Sequence, residues 1–219
     1  MTPAERAAWE GRFLTFLSRE GAKADAAHDL GHVRRVVGSA MDLCPQESAD
    51  PDIVFAAAWL HDCVAVPKDS PLRSQASRLC AAAASEFLRE AGWAPSQIPS
   101  IHHAIEAHSF SAGIDPNTVE ARVVQDADRL DALGAHGLAR CIATGASMGT
   151  GLVHPTDPWA RDRPLDDVRW SVDHFFAKLF KLPAMMRTEA GRAEAERRAE
   201  VLRVFLRELA RERGEAAPV

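Results

Sequence analysis

A run of eight apolar residues ends abruptly in an imidazole and a carboxylate, at Ile53-Val54-Phe55-Ala56-Ala57-Ala58-Trp59-Leu60-His61-Asp62. Asp50 and Pro51 precede the run, and they suit the cap and the first turn of a helix. The stretch therefore predicts a buried helix that delivers two polar side chains at its end. Imidazole nitrogen and carboxylate oxygen both bind divalent metals. Because the dipeptide alone is common, it favours an ordinary helix end unless further ligands are found.

Helical patterns with turn signals between them cover the remainder of the 219 residues. We find no alternating pattern strong enough for a sheet, so the predicted fold class is all-α, in a single domain over 1–219 with its core at about 25–210. Further helices are predicted over 3–20, 29–43, 72–91, 96–109 and 165–182. Thr118 and Thr188 are expected to cap two more. The breaker-rich segment 143–163 predicts a long loop between the later helices.

Composition and charge exclude several classes of function. A formal net charge of −5 argues against general binding to a nucleic-acid backbone. No apolar run approaches the ~20 residues that span a bilayer, and the amino terminus does not read as a signal peptide, so we expect a cytoplasmic protein without a membrane partner. The four cysteines form no Cys-x-x-Cys pair, which favours free thiols over a disulfide framework or a thiolate zinc site.

Two more residues of metal-binding type lie in helical patterns, His32 upstream and Asp128 downstream. Along the chain, the four residues now follow the order His, His-Asp, Asp. At this point the chain resembles the HD superfamily of metal-dependent phosphohydrolases, a family of helical domains. The resemblance implies that His32, His61, Asp62 and Asp128 hold a divalent ion. Such a ligand set is harder than a thiolate cage and suits Mn²⁺, Mg²⁺, Fe²⁺, Co²⁺ or Ni²⁺.

Other polar residues near these positions are open to two interpretations. Asp131 follows Asp128 by three residues and shares its helix face, so it is either an orienting group for water or an exposed acid. His103 and His108 are offset by roughly 140° on a helix and cannot both face one ion. For each of them, a role on the substrate side or at a second metal competes with that of a surface histidine.

Four segments, 61–71, 107–111, 125–134 and 174–182, are similar to those of a bacterial HD subfamily that includes nucleotide pyrophosphohydrolases. By this resemblance Lys68, Lys178 and Lys181 are candidates for phosphate binding. His103 and His108 are the further candidates for substrate binding, on the helix argument given above. The candidates for catalysis are Asp62, Lys68, Asp69 and Asp131.

The resemblance implies an enzyme that hydrolyses nucleoside or deoxynucleoside triphosphates to monophosphate and pyrophosphate, with water activated by the ion. The same ligands would serve a phosphomonoesterase or a cyclic-nucleotide phosphodiesterase, and a non-catalytic nucleotide or metal sensor is a further alternative. We expect a small phosphorylated substrate as the partner, and a monomer or a homodimer.

Overall fold

A computed structural model describes residues 1–20, 30–67, 70–109 and 112–219 of the chain. Within these ranges the secondary structure is helical, without a β-strand, and the all-α prediction is confirmed. The α-helices are α1 (Pro3–Glu20), α2 (Leu30–Leu43), α3 (Pro51–Leu60), α4 (Ala76–Glu90), α5 (Ile98–Glu106), α6 (Val119–Leu130), α7 (Gly134–Ser147), α8 (Ser171–Ala177) and α9 (Glu189–Arg213).

The described residues divide into two compact units, Met1–Asp128 and Arg129–Val219. The single-domain organisation stays a prediction. None of the described helices is both long enough and apolar enough to cross a membrane. The cytoplasmic location also stays a prediction.

Helix α3 lies at the centre of the first unit. All of its residues from Ile53 to Leu60 are buried, and α2, α5, α1 and α4 pack against it. A helix that is apolar on every side is stable only when surrounded in this way. The Asp50 carboxylate caps the helix as predicted, accepting hydrogen bonds from the backbone N–H groups of Asp52 at 2.8 Å and Ile53 at 3.3 Å. The cap fixes where the apolar run begins, and therefore where His61 ends it.

An aromatic cluster fixes α1 on this core. The Phe13 ring is fully buried, and its centroid lies 5.8 Å from that of Phe55 in α3 and 6.0 Å from that of Phe87 in α4. Trp9 and Trp93 complete the cluster, with their ring centroids 4.6 Å apart. Burial of one large aromatic side chain contributes about 3 kcal/mol, so Phe13 is a principal anchor of the amino-terminal helix.

Helix α9 organises the second unit and packs against α7. Thr188 caps it as predicted, its hydroxyl oxygen accepting from the Gly191 N–H at 3.0 Å. Gly214 ends the helix in the left-handed region, with φ of 69°. The apolar side chains of α9 that face inward are Ala195, Ala199, Leu202, Leu206 and Ala210. The buried stripe is narrow, and the opposite face carries ion pairs.

Two predictions for this unit were wrong. The segment 165–182 is α-helical only over α8, with a 3₁₀ turn at Leu179–Lys181. A partly buried ion pair between Arg163 and Asp173 holds the residues before α8 in an irregular path. Asp173 also accepts from the Asp166 N–H at 2.7 Å. Residues 143–147, predicted as loop, continue α7. Gly145 does not break that helix: it provides a close approach, since a Cβ there would lie 2.2 Å from the Ser171 hydroxyl oxygen.

The first unit shows smaller departures at helix ends. Helix α4 begins at Ala76 after a 3₁₀ turn at Arg73–Gln75, and α5 covers Ile98–Glu106 only. The start of α6 agrees with the prediction, because the Thr118 hydroxyl accepts from the Ala121 N–H at 3.2 Å.

Candidate metal centre

Three side chains of metal-binding type converge in the first unit: His32, His61 and Asp128. The two Nε2 atoms are 3.2 Å apart. Asp128 Oδ1 lies 3.4 Å from Nε2 of His32 and 3.9 Å from Nε2 of His61. For metal–ligand bonds of about 2.1 Å, neighbouring atoms of an octahedral set are about 3 Å apart and opposite ones about 4 Å. The three atoms therefore fit one divalent ion.

Each of the three residues comes from a different helix. His32 lies in the first turn of α2, His61 directly follows α3, and Asp128 lies two residues before the end of α6. The packing of α2 against α3 brings the two imidazoles together. His32 and His61 are both buried, so the ligand positions are fixed by the core and not by a loop.

The His61 ring is held in the orientation that metal binding needs. Its Nδ1 lies 2.8 Å from the Ala58 carbonyl oxygen, which accepts from the Nδ1–H group. This places the lone pair on Nε2, the atom facing His32 and Asp128. Burial lowers the pKa of His61 even though the charges of Asp62 and Asp128 raise it. The neutral imidazole, the form that ligates, is thereby favoured.

Asp128 is favoured in its charged form. Burial raises the pKa of this carboxyl group, but the hydrogen bond from His32 and the nearby His61 and His108 outweigh burial, and the pKa is lowered overall. A carboxylate beside two imidazoles is a suitable oxygen ligand for Mn²⁺, Mg²⁺ or Fe²⁺. The residues present therefore match the divalent cofactor that was expected.

Asp62 lies at the edge of this cluster. Its Oδ2 is 3.8 Å from Nε2 of His61, a distance that suits a fourth ligand. Its Oδ1 is 3.5 Å from Nε2 of His108. The two oxygens of one carboxylate thus face two different imidazoles. Its place in the ligand set stays a prediction.

His108 is a buried member of this site and not a surface histidine. Its ring centroid is 5.0 Å from that of His61, at 84° between the planes. The Ile105 carbonyl accepts from Nδ1–H at 2.6 Å, leaving Nε2 directed at Asp62. Burial lowers the pKa of His108, but the hydrogen bond and charge of Asp62 raise it to about 9. The His108 side chain therefore donates to Asp62 at neutral pH.

Two other predicted site residues, Asp131 and His103, make hydrogen bonds elsewhere in the structure. Asp131 belongs to the second unit, where it is buried and accepts from Arg140 Nη1 at 3.1 Å, so its interpretation as an exposed acid was wrong. His103 Nε2 accepts from the Asn117 N–H at 3.2 Å and holds the turn before α6. Their roles in catalysis and in substrate binding stay predictions.

The roles of the three lysines predicted to bind phosphate stay predictions. Lys178 and Lys181 are exposed in the second unit, at the end of α8 and in the 3₁₀ turn Leu179–Lys181. Lys68 and Asp69 lie outside the described residues.

The sequence analysis missed Gln125, a buried residue of α6. Its Nε2 donates to the Ala107 carbonyl at 2.7 Å, one residue before His108. A signal for it was present, because Gln125 precedes Asp128 by three residues and so shares its helix face.

Comparison with known proteins agrees with this geometry. The HD domain family matches residues 29–133, a range that contains all four predicted ligands. YpgQ of Bacillus subtilis (strain 168) is 32% identical over 188 residues, which cover 84% of this chain and 83% of YpgQ. An HD-superfamily hydrolase from Bacillus thuringiensis is 32% identical in its crystal structure, with a TM-score of 0.74 over 96% of this chain and 100% of that one.

A crystal structure of B. subtilis YpgQ in complex with ADP has a TM-score of 0.67 and 30% identity, covering 91% of this chain and 97% of YpgQ. The likeness extends over nearly the full length in both structures and is not confined to the ligand motif. The chain therefore belongs to the HD superfamily of metal-dependent phosphohydrolases.

Proposed function

We propose that this phosphohydrolase acts on nucleotides and hydrolyses nucleoside or deoxynucleoside triphosphates to the monophosphate and pyrophosphate. The observation that carries the proposal is the convergence of His32, His61 and Asp128 on one point, with the Asp62–His108 pair beside them. The ADP complex of YpgQ supports a nucleotide as the substrate class.

The ligands of the ion are His32, His61, Asp62 and Asp128. When bound, a divalent ion lowers the pKa of a coordinated water and polarises a phosphoryl oxygen. Four protein ligands would leave room beside the ion for a water and a phosphoryl oxygen. The two carboxylates also balance the charge of the ion, so a polyphosphate needs additional cations from the chain.

Asp62 and His108 are suited to proton transfer. Asp62 Oδ1 lies beside the ligand atoms, where it can accept a proton, and His108 Nε2 faces this oxygen at 3.5 Å. A general base must lie within hydrogen-bond reach of the proton it removes. We assign this role to Asp62, with His108 donating to Asp62 or to a phosphate oxygen of the substrate.

Lys68, Lys178 and Lys181 are the proposed partners of the phosphate groups. An ammonium group complements phosphate as a point charge. In the second unit, Lys178 and Lys181 present exposed side chains close together in sequence, which suits contact with a flexible polyphosphate.

The test is a panel of nucleotides assayed with Mn²⁺, Mg²⁺, Fe²⁺, Co²⁺ and Ni²⁺, with the products resolved. We expect pyrophosphate from triphosphates, and no activity in Asp62→Ala. The matched control is Asp42→Ala, an exposed acid of α2, which should keep full activity. Release of inorganic phosphate from monophosphates, or opening of cyclic nucleotides, would replace the proposed reaction by one of the alternatives. Binding of nucleotides without turnover would indicate a sensor.

A further inference from the structure

Helix α6 carries a buried polar side chain, Gln125, close in sequence to the metal-centre residue Asp128. Gln125 lies one turn before Asp128 and is 2% exposed. Its side-chain Nε2 donates to the backbone carbonyl of Ala107 at 2.7 Å, and Ala107 is itself fully buried. This hydrogen bond ties α6 to the end of α5.

The Ala107 carbonyl lies where a helix leaves its backbone groups unpaired. Helix α5 ends at Glu106. In the turn that follows, the Ala107 N–H donates to the His103 carbonyl at 3.0 Å, and the His108 N–H donates to the Ile105 carbonyl at 3.4 Å. The last carbonyls of a helix have no partner within it, and a buried carbonyl requires one. Gln125 supplies that partner from a neighbouring helix.

The turn held by Gln125 leads directly into His108. The His108 ring is fixed within the same turn, since its Nδ1–H donates to the Ile105 carbonyl at 2.6 Å. Its Nε2 then faces Asp62 Oδ1 at 3.5 Å. A shift of the turn would therefore move the ring away from the carboxylate.

The other half of the Gln125 amide has a different environment. Its Oε1 is buried without a hydrogen-bond partner among the described residues. A buried carbonyl oxygen without a partner is unfavourable, and an apolar side chain of the same size would avoid it. The hydrogen bond donated by Nε2 therefore explains why an amide, and not an apolar side chain, occupies this position.

We infer that Gln125 is a positioning residue for the reaction, which acts by clamping the turn that presents His108 to Asp62. The inference rests on the proposed function, because it requires that His108 assist the chemistry. One face of α6 then serves two purposes. Asp128 is a metal ligand, and Gln125 orients the imidazole of His108.

The test uses Gln125→Met, which keeps the side-chain volume and removes the donor, together with His108→Gln and the double variant. We expect kcat of Gln125→Met to fall about tenfold, as when a residue that orients a catalytic group is removed. KM and the affinity for Mn²⁺ measured by calorimetry should stay within about twofold. Since Gln125 acts through His108, the double variant should be no slower than His108→Gln alone.

A matched control is Gln97→Met in the same unit. Gln97 makes two side-chain hydrogen bonds, accepting from Trp93 Nε1 at 3.1 Å and donating to Asp50 at 3.3 Å. It should lower the melting temperature without changing kcat. A crystal structure of Gln125→Met should show the His108 ring displaced from the Ile105 carbonyl. If the methionine variant does not fold, Gln125→Asn, which is too short to reach Ala107, is measured with the same expectations.

An unchanged kcat in Gln125→Met, with His108→Gln inactive, would overturn the inference and leave the proposed function standing. So would losses that multiply in the double variant. Full activity of His108→Gln would instead remove His108 from the proposed mechanism, and a lower kcat in Gln125→Met would then be a structural effect.

Discussion

His108 Nε2 lies 3.5 Å from Asp62 Oδ1 and His61 Nε2 lies 3.8 Å from Asp62 Oδ2, so each oxygen of the carboxylate in the His-Asp pair faces a different imidazole. Asp62 and His108 are 46 positions apart in the sequence. A carboxylate whose two oxygens have different neighbours can be a metal ligand through one oxygen and a proton acceptor through the other.

His108→Gln should lower kcat by about 100-fold, the loss that is typical when a proton-transfer partner is removed. Glutamine keeps a donor of similar reach but cannot change its charge. The affinity for Mn²⁺ should change little, because His108 is not among the predicted ligands. Steady-state kinetics and calorimetry measure the two quantities. A large loss of metal affinity would instead make His108 a ligand.

Asp128→Asn should weaken Mn²⁺ binding by more than about 100-fold, exceeding the effect of losing a group that only orients a ligand. The substitution removes the charge that offsets part of the ion's charge beside His32 and His61. Calorimetric titration measures the affinity, with Asp42→Asn as the control. Equal affinities in the two variants would contradict the placement of the ion.

Phe13→Ala should destabilise the protein by about 3–5 kcal/mol, because a fully buried aromatic ring leaves a cavity that the neighbouring rings cannot fill. Urea denaturation measures the free energy of unfolding. Met148→Ala, at a side chain that is 71% exposed, should have almost no effect. Similar values for both would show that α1 does not depend on the aromatic cluster.

Glu194 gives a prediction for the dependence of stability on pH. The hydrogen bond from Arg197, and then that from Arg198, lower the pKa of Glu194 to about 2 against the effect of burial, from an ordinary value of 4.5. Since the folded pKa lies below the unfolded one, this stabilisation is fully present above about pH 4.5 and is lost as the pH falls towards 2.

The corresponding experiment compares the wild type with Glu194→Gln between pH 6 and pH 2.5. The difference in free energy of unfolding should shrink as the pH falls, and added salt should reduce it at pH 6. A difference that is constant with pH would mean that the ion pairs of Glu194 do not contribute to stability.

Local signals in the sequence were sufficient for much of the fold. Asp50, Thr118 and Thr188 cap their helices as predicted, because a cap depends on a few neighbouring residues. The path of 165–170 was not predictable in this way, since it follows from the partly buried pair of Arg163 with Asp173. Gly145 was interpreted as a helix breaker. Its close approach to Ser171 was not predictable, because the two residues are distant in sequence.

The same division applies to the site. Of the four residues that the order His, His-Asp, Asp predicted as ligands, the structure brings His32, His61 and Asp128 together, since the motif specifies both residue type and helix position. The burial of Asp131 and the contact of Gln125 with Ala107 depend on tertiary packing and left no sufficient local signal. Residues that act by orienting others are therefore found in the structure and not in the motif.

The most direct test of the metal centre is a crystal of the protein soaked in Mn²⁺ and measured for anomalous scattering at the manganese edge. We predict one strong peak shared by His32, His61, Asp62 and Asp128. A protein that folds and takes up Mn²⁺ elsewhere, with no peak between His32, His61 and Asp128, would contradict the account.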